Sequence, residues 1–240
     1  NEVKDFLATK NISFHTFKDQ VVFEKSEVTK ADGLPYTVFT PYSKVWKAKW
    51  SAQTCPHYTS EELLNHLFSF SFDFPAIESI CFEAAFIYLD FDFTRIKPII
   101  ATYDTSRNFP ALPSGTTRMG VHLRFGTVSV RKLAHMAVVS NETWLNELIW
   151  REFFMQILFH FPHVVTRCFK PQYEAIPWRN NEEEFALWCQ GRTGYPIVDA
   201  GMRELNETGF MHNRVRMIAA SFLTKHLLID WRWGEAYFAS

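Results

Sequence analysis

The chain has 240 residues, a formal net charge of −1 and a hydrophobic fraction of 47%, length enough for one large or two small domains with a sizeable core. A near-zero charge excludes a global basic field for nucleic acid, so any DNA site has to be a local patch. No apolar run approaches the ~18–20 residues of a membrane span and no signal-peptide pattern opens the chain, so the reading is a cytoplasmic protein. Its cysteines, Cys55, Cys81, Cys168 and Cys189, form no C-x-x-C pair and read as reduced thiols. No metal site is expected, because the histidines show no ligand spacing with cysteines or acids.

In chain order, residues 2–10 carry a short amphipathic helical pattern. Residues 12–17 and 20–23 are strand-like, and Asp32-Gly33 signals a turn before another extended piece at 36–39. These read as the tail of an α/β unit whose parallel partners are missing. A long connecting region with scattered prolines follows to about Arg107. Phe68, Phe70, Phe72 and Phe74 alternate there with polar residues, and residues 89–93 alternate again. Either stretch is a strand or a linker lying on a larger body, and the linker is preferred.

Beyond Arg107 the periodicity turns helical. The small-residue loop Ser114-Gly115-Thr116-Thr117-Arg118 offers N–H groups, hydroxyls and a cation that suit a phosphate. The plainer reading, an N-cap by Thr116 or Thr117, is favoured on pattern alone. Residues 142–161 predict a strong helix with Pro162 just beyond it. Glu147, Trp150 and Arg151 share one of its faces, either as an acid–base pair beside a packed indole or as a carboxylate beside a stacking platform; the former is favoured on spacing. After a loop over 163–178, residues 180–190 open with three glutamates at a helix start and end at Gly191.

The stretch 194–233 reads as two helices. Pro196 suits a first turn and Gly209 a C-terminal stop, and the second helix is expected from about Met211 to about Ile229. Asn213, Met217 and Ser221 share one face of it with Arg216 alongside, while the remainder is apolar nearly all round. A helix buried by that pattern has to find partners for Asn213, Arg214 and Arg216, from the protein or from a ligand.

Taken together, LNELIWREFF, QGRTGYPIVDAGMRELNETGFMHNRVRM and LTKHLLIDWRWGEAYF resemble the photolyase/cryptochrome family over essentially the whole chain. The resemblance implies a mainly α fold: the end of an α/β antenna domain at 1–45, an interdomain linker at 46–107 and a truncated all-helical FAD-binding domain at 108–240. The abrupt ends fit a fragment. It also implies light-driven splitting of cyclobutane pyrimidine dimers in UV-damaged DNA by an electron from reduced FAD, with the lesion flipped out of the duplex. Tyr103 and the loop Thr116, Thr117, Arg118, Met119 and Gly120 match the family's phosphate-holding segment, with Met119 and Gly120 standing where many relatives have Leu and Ser. Glu147 matches the carboxyl that hydrogen-bonds the lesion, and Trp150 the aromatic wall against flipped bases. Asn213 matches a residue between flavin and lesion, Met217 one packed near the lesion, and Arg216 the arginine beside the flavin ring. Trp231 and Trp178 match the middle and outer members of an electron relay. Trp150, Arg151 and Arg214 are the expected DNA contacts.

The form MHNRVRM favours a dimer enzyme over the (6-4) type, and a cryptochrome-type photoreceptor without repair stays as the alternative. A third reading, DNA or partner binding without flavin, is the weakest. The antenna pigment, of folate or deazaflavin type, is not legible, and a monomer is expected.

Overall fold

The computed structural model describes residues 2–50, 60–67, 71, 73, 75–80 and 92–239. The phenylalanine alternation at 68–74, most of the one at 89–93, and Cys55 and Cys81 lie outside the described residues. The chain divides into two compact units, Asn1–Ala101 with Thr117–Phe153, and Thr102–Thr116 with Phe154–Ser240. Among the described residues every regular element is helical.

In the first unit, α1 (Glu2–Thr9) is exposed along its length and precedes an irregular stretch whose one bridge pairs Thr29 with Pro35. The strands expected at 12–17, 20–23 and 36–39 do not form. The reason at 20–23 is visible in the hydrogen bonds: Val22 and Phe23 give their N–H groups to the carboxylate of Glu152, at 2.7 and 3.2 Å, and not to a neighbouring strand. Phe39, expected as extended, instead opens α2 (Phe39–Lys49), which buries Tyr42 and Trp46. Short 3₁₀ turns at Ser60–His66 and Ile77–Ile80 occupy the described part of the linker region, followed by α3 (Phe93–Ala101).

After α4 (Tyr103–Ser106), which belongs to the second unit, α5 (Gly120–Phe125) and α6 (Val130–Ser140) return to the first. The N-cap of α5 is Met119, whose side chain makes no capping bond, so neither Thr116 nor Thr117 caps this helix. Ser129 caps α6 by accepting from Lys132 N. The long helix α7 (Glu142–His160) matches its expected span to one residue, and Asn141 Oδ1 caps it by accepting from Trp144 N at 3.1 Å.

The second unit has its core on α8 (Glu182–Cys189), α9 (Pro196–Thr208), α10 (Asn213–Lys225) and α11 (Trp231–Ala239). Trp188, Val198, Met202, Val215, Ala219, Leu223 and Ile229 are buried together there. Helix α9 starts at Pro196 and stops at Gly209, which sits at φ 67° where a Cβ would strain the backbone. Helix α10 is shorter than expected. His212 caps its start, and Leu228 at φ 50° turns the chain away, with Leu227 and Ile229 N–H groups bonded back to Phe222 and Leu223. Nor is α10 buried all round: Asn213, Met217 and Ile218 are exposed.

Close helix approach depends on small residues. A Cβ on Gly201 of α9 would collide with Val215 of α10, and one on Gly234 of α11 with Leu223.

Candidate functional site

Two groups of side chains carry the expected chemistry, and each is described within its own unit.

In the first unit α7 presents Glu147, Trp150, Arg151 and Glu152. Glu147 and Trp150 are half-buried. The indole of Trp150 lies flat on the ring of Phe39, with centroids 3.6 Å apart and planes 4° apart, and Phe153 stands edge-on to it at 5.7 Å. Arg151 sends its guanidinium to the backbone, donating to Gln20 O at 2.6 Å, to Gln20 Oε1 at 3.4 Å and to Leu123 O at 3.1 Å. It thereby ties α7 to the segment at 20 and to α5, the helix that follows the Thr117–Gly120 loop. In that loop Thr117 is half-buried, Arg118 is exposed at φ 51° and Met119 is buried.

The acid that organises this unit is one that sequence reasoning passed over. Glu152 is 2% exposed and accepts from four donors: Val22 N, Phe23 N, Trp46 Nε1 at 2.8 Å and Tyr42 OH at 3.3 Å. Burial pushes its carboxyl up to about 7, and the four hydrogen bonds pull the other way without restoring the usual value. Burial, then the Glu152 charge, raises the Tyr42 phenol in turn. The available signal was a lone carboxylate inside the apolar run IWREFFMQI, where a buried charge has to find donors.

In the second unit Asn213 and Met217 sit one turn apart on the exposed face of α10, with Asn213 Nδ2 3.9 Å from Met217 Sδ. Arg214 reaches the same sulfur at 3.9 Å and donates through Nε to Asn108 Oδ1 at 2.9 Å, a partner the sequence did not suggest. His212 caps this helix by accepting at Nδ1 from Arg214 N, which requires a neutral ring. Burial first, and then the nearby Arg214 charge, lowers its pKa against the opposing pull of Glu204 and the Arg107 backbone.

Arg216 is half-buried with its guanidinium 5.6 Å over the Phe238 ring, which offsets part of the cost expected for an isolated buried charge. It lines a cavity of about 350 Å³ with Leu223, Trp231, Gly234, Glu235 and Phe238. A cation with an aromatic floor suits a planar, electron-rich ring, and Arg118 with the Thr117 hydroxyl suits phosphate. Each group, within its own unit, has side-chain chemistry that suits one part of a flavin nucleotide.

Trp178 and Trp231 line another cavity, of about 800 Å³, together with Tyr173, Ile176 and Leu228. Their loops are laced together. Arg179 N donates to Leu228 O, Asn180 Oδ1 accepts from Asp230 N, and Arg232 bridges Glu174, Asp230 and Thr166 O. Tyr103 lies on α4 with Arg107 5.5 Å over its ring. Thr116, which also belongs to this unit, is half-buried.

Among the described residues no group of His, Cys, Asp and Glu could hold a metal ion, and no helix is long and apolar enough to cross a membrane. Cys189 is a free thiol pushed up to about 11 by burial.

Residues 144–240 match the family described as the FAD binding domain of DNA photolyase, and residues 1–60 match the family described as DNA photolyase. The chain is 39% identical to the deoxyribodipyrimidine photo-lyase of Alkalihalophilus pseudofirmus, an alignment covering 97% of this chain and 52% of the relative. Against the deoxyribodipyrimidine photo-lyase of Vibrio cholerae the identity is 37%, covering 99% and 55%. The fold is similar to that of a class III photolyase from Agrobacterium tumefaciens, with a TM-score of 0.74 at 30% identity over 99% of this chain and 53% of the other. An archaeal photolyase from Sulfolobus tokodaii, solved with two FAD molecules, gives 0.72 at 31% over 100% and 53%. The chain therefore spans about half the length of the relatives it matches.

Proposed function

The chain belongs to the photolyase/cryptochrome family, and from that premise we propose that it is the catalytic part of a light-dependent DNA repair enzyme that splits cyclobutane pyrimidine dimers. The observation that carries the proposal is the pairing, on one helix, of a half-buried carboxylate with a flat indole one turn away: Glu147 and Trp150 on α7. Bound FAD, once reduced and excited by light, would supply the electron that cleaves the dimer.

The chain's own residues supply the rest. Trp150 offers a flat face against which an extruded base stacks, worth about 1–3 kcal/mol per base. Glu147 hydrogen-bonds the lesion and steadies the charge arriving on it. On α10 of the second unit Asn213 and Met217 take the lesion-side roles that the family resemblance gives them, and Arg216 would hold the flavin ring by charge. Tyr103 and Thr116 of the second unit, and Thr117 and Arg118 of the first, take the phosphate-holding roles, with Met119 and Gly120 shaping the loop of the first. Trp178 and Trp231, which line one cavity of the second unit, would relay electrons from an external reductant to restore the reduced cofactor. Arg214, held by Asn108, meets the DNA backbone from the second unit; in the first unit Arg151 is the expected cation, through guanidinium N–H groups not given to Gln20 and Leu123. The division into antenna remnant (1–45), linker (46–107) and flavin domain (108–240) accompanies this reading, as do a monomeric state and a cytoplasmic location.

The test is repair of an oligonucleotide carrying one thymine dimer, with FAD bound. Splitting only under blue light supports the proposal, whereas flavin absorption without splitting favours a photoreceptor. Glu147→Ala is expected to lower splitting per absorbed photon more than it lowers DNA affinity, because the carboxyl acts on the charged state. Equal losses in both would reduce Glu147 to a structural residue.

A further inference from the structure

Aromatic pairs usually meet edge-on or offset, because like-charged ring faces repel when fully overlapped. Phe39 and Trp150 are an exception, nearly parallel and face to face at 3.6 Å and both half-buried. Something other than ring preference holds them. Phe39 is the first residue of α2, and the following turns of that helix are fixed to α7: Tyr42 OH and Trp46 Nε1 both donate to Glu152. Phe153 closes the corner, edge-on to Phe39 at 6.0 Å and to Trp150 at 5.7 Å. The start of α2 is thus clamped to α7, and the Phe39 ring is pressed onto one face of the indole.

We propose that Phe39 is a positioning residue for substrate: it backs Trp150 so that the indole meets an extruded base on one fixed face, in one orientation, before DNA arrives. This rests on the reading of Trp150 as the wall of the lesion site. The physical effect is preorganisation. An unsupported indole has two torsions to settle and two faces to offer, and ordering it on binding would subtract from affinity. With Phe39 in place, a planar ligand meets Trp150 on at most one face. The Glu152 cluster acts one step further back, by holding α2 where Phe39 can do this.

The test compares affinities for an oligonucleotide with one thymine dimer and for the same undamaged strand. Phe39→Leu keeps apolar bulk but removes the ring, and is expected to cut the preference for the lesion roughly two- to tenfold, the scale of one aromatic pair. Phe39→Tyr keeps the ring and is expected to keep the preference. In a Trp150→Ala background, Phe39→Leu should change nothing further, which a merely structural role would not produce. An undiminished preference in Phe39→Leu, or an equal loss with and without Trp150, overturns the proposal. Should Phe39→Leu unfold, Phe39→Met carries the same comparison. If Trp150→Ala alone leaves the preference intact, the failure lies in the reading of Trp150 and takes this one with it. Loss in Trp150→Ala without loss in Phe39→Leu sinks the positioning role alone.

Discussion

Glu152 is the residue on which the first unit turns, and its chemistry gives a stability test with a definite sign. Its carboxyl lies above the usual value, at about 7, so the folded chain holds the proton more tightly than the unfolded one. The corresponding stabilisation is complete below the ordinary carboxyl range and is lost as pH rises through about 7. Urea unfolding at pH 5 and pH 8 should show this loss in the wild type and not in Glu152→Gln. The variant itself should lose on the order of 1–3 kcal/mol, because an amide nitrogen would face donors that need an acceptor. His212 runs the other way. Its lowered pKa favours the neutral ring in the folded state, so its contribution is present above the ordinary histidine value and lost as pH falls through the folded one. Ala in its place should cost about 0.5–2 kcal/mol of cap, measured in the same unfolding experiment at pH 8.

At the scale of elements, the most exacting contact is the crossing of α9 and α10. Gly201→Ala should destabilise by about 1–3 kcal/mol through overpacking against Val215, seen as a lower urea midpoint with an unchanged slope. Asp199 fastens the start of α9 differently. Burial works to raise its carboxyl, but bonds from Thr193 N, Thr193 Oγ1 and Gly194 N, helped by Arg203, leave it below the usual value. Helices α7, α8 and α9 were legible in the sequence, because proline, glycine and apolar spacing act locally, and they fall within about two residues of their expected bounds, whereas α2 opens on a residue expected to be extended. Of residues 12–39 the Asp32-Gly33 turn was legible, but the absence of strands was not, because β-branched and aromatic composition says nothing about a carboxylate more than a hundred positions away claiming the backbone N–H groups of Val22 and Phe23. The same limit applies to the site. Glu147, Trp150 and Asn213 stood out by pattern and resemblance, whereas Phe39, Asn108 and Glu152 owe their places to contacts distant in the chain.

For the molecule as a whole, the proposed function with a net charge of −1 requires DNA affinity to come from a few local cations. Binding should therefore fall with salt, with a shallow slope of roughly 0.7–0.9 per phosphate neutralised, and Arg214→Gln should lower that slope by about one such unit. A steep slope unchanged by the substitution would move the contact elsewhere. Trp178→Phe is expected to slow light-driven reduction of oxidised flavin while sparing splitting by flavin reduced beforehand, as read by absorbance and by dimer loss.

The Glu152 cluster also bears on how such a sequence can change over time. One carboxylate serves Val22, Phe23, Tyr42 and Trp46 at once, so a neutral drift at position 152 would strand several donors together, and no single later substitution could rescue them all. Tyr42, by contrast, can drift to phenylalanine with the loss of one bond. The acid should accordingly be the last member of the group to vary, and its ring partners the first.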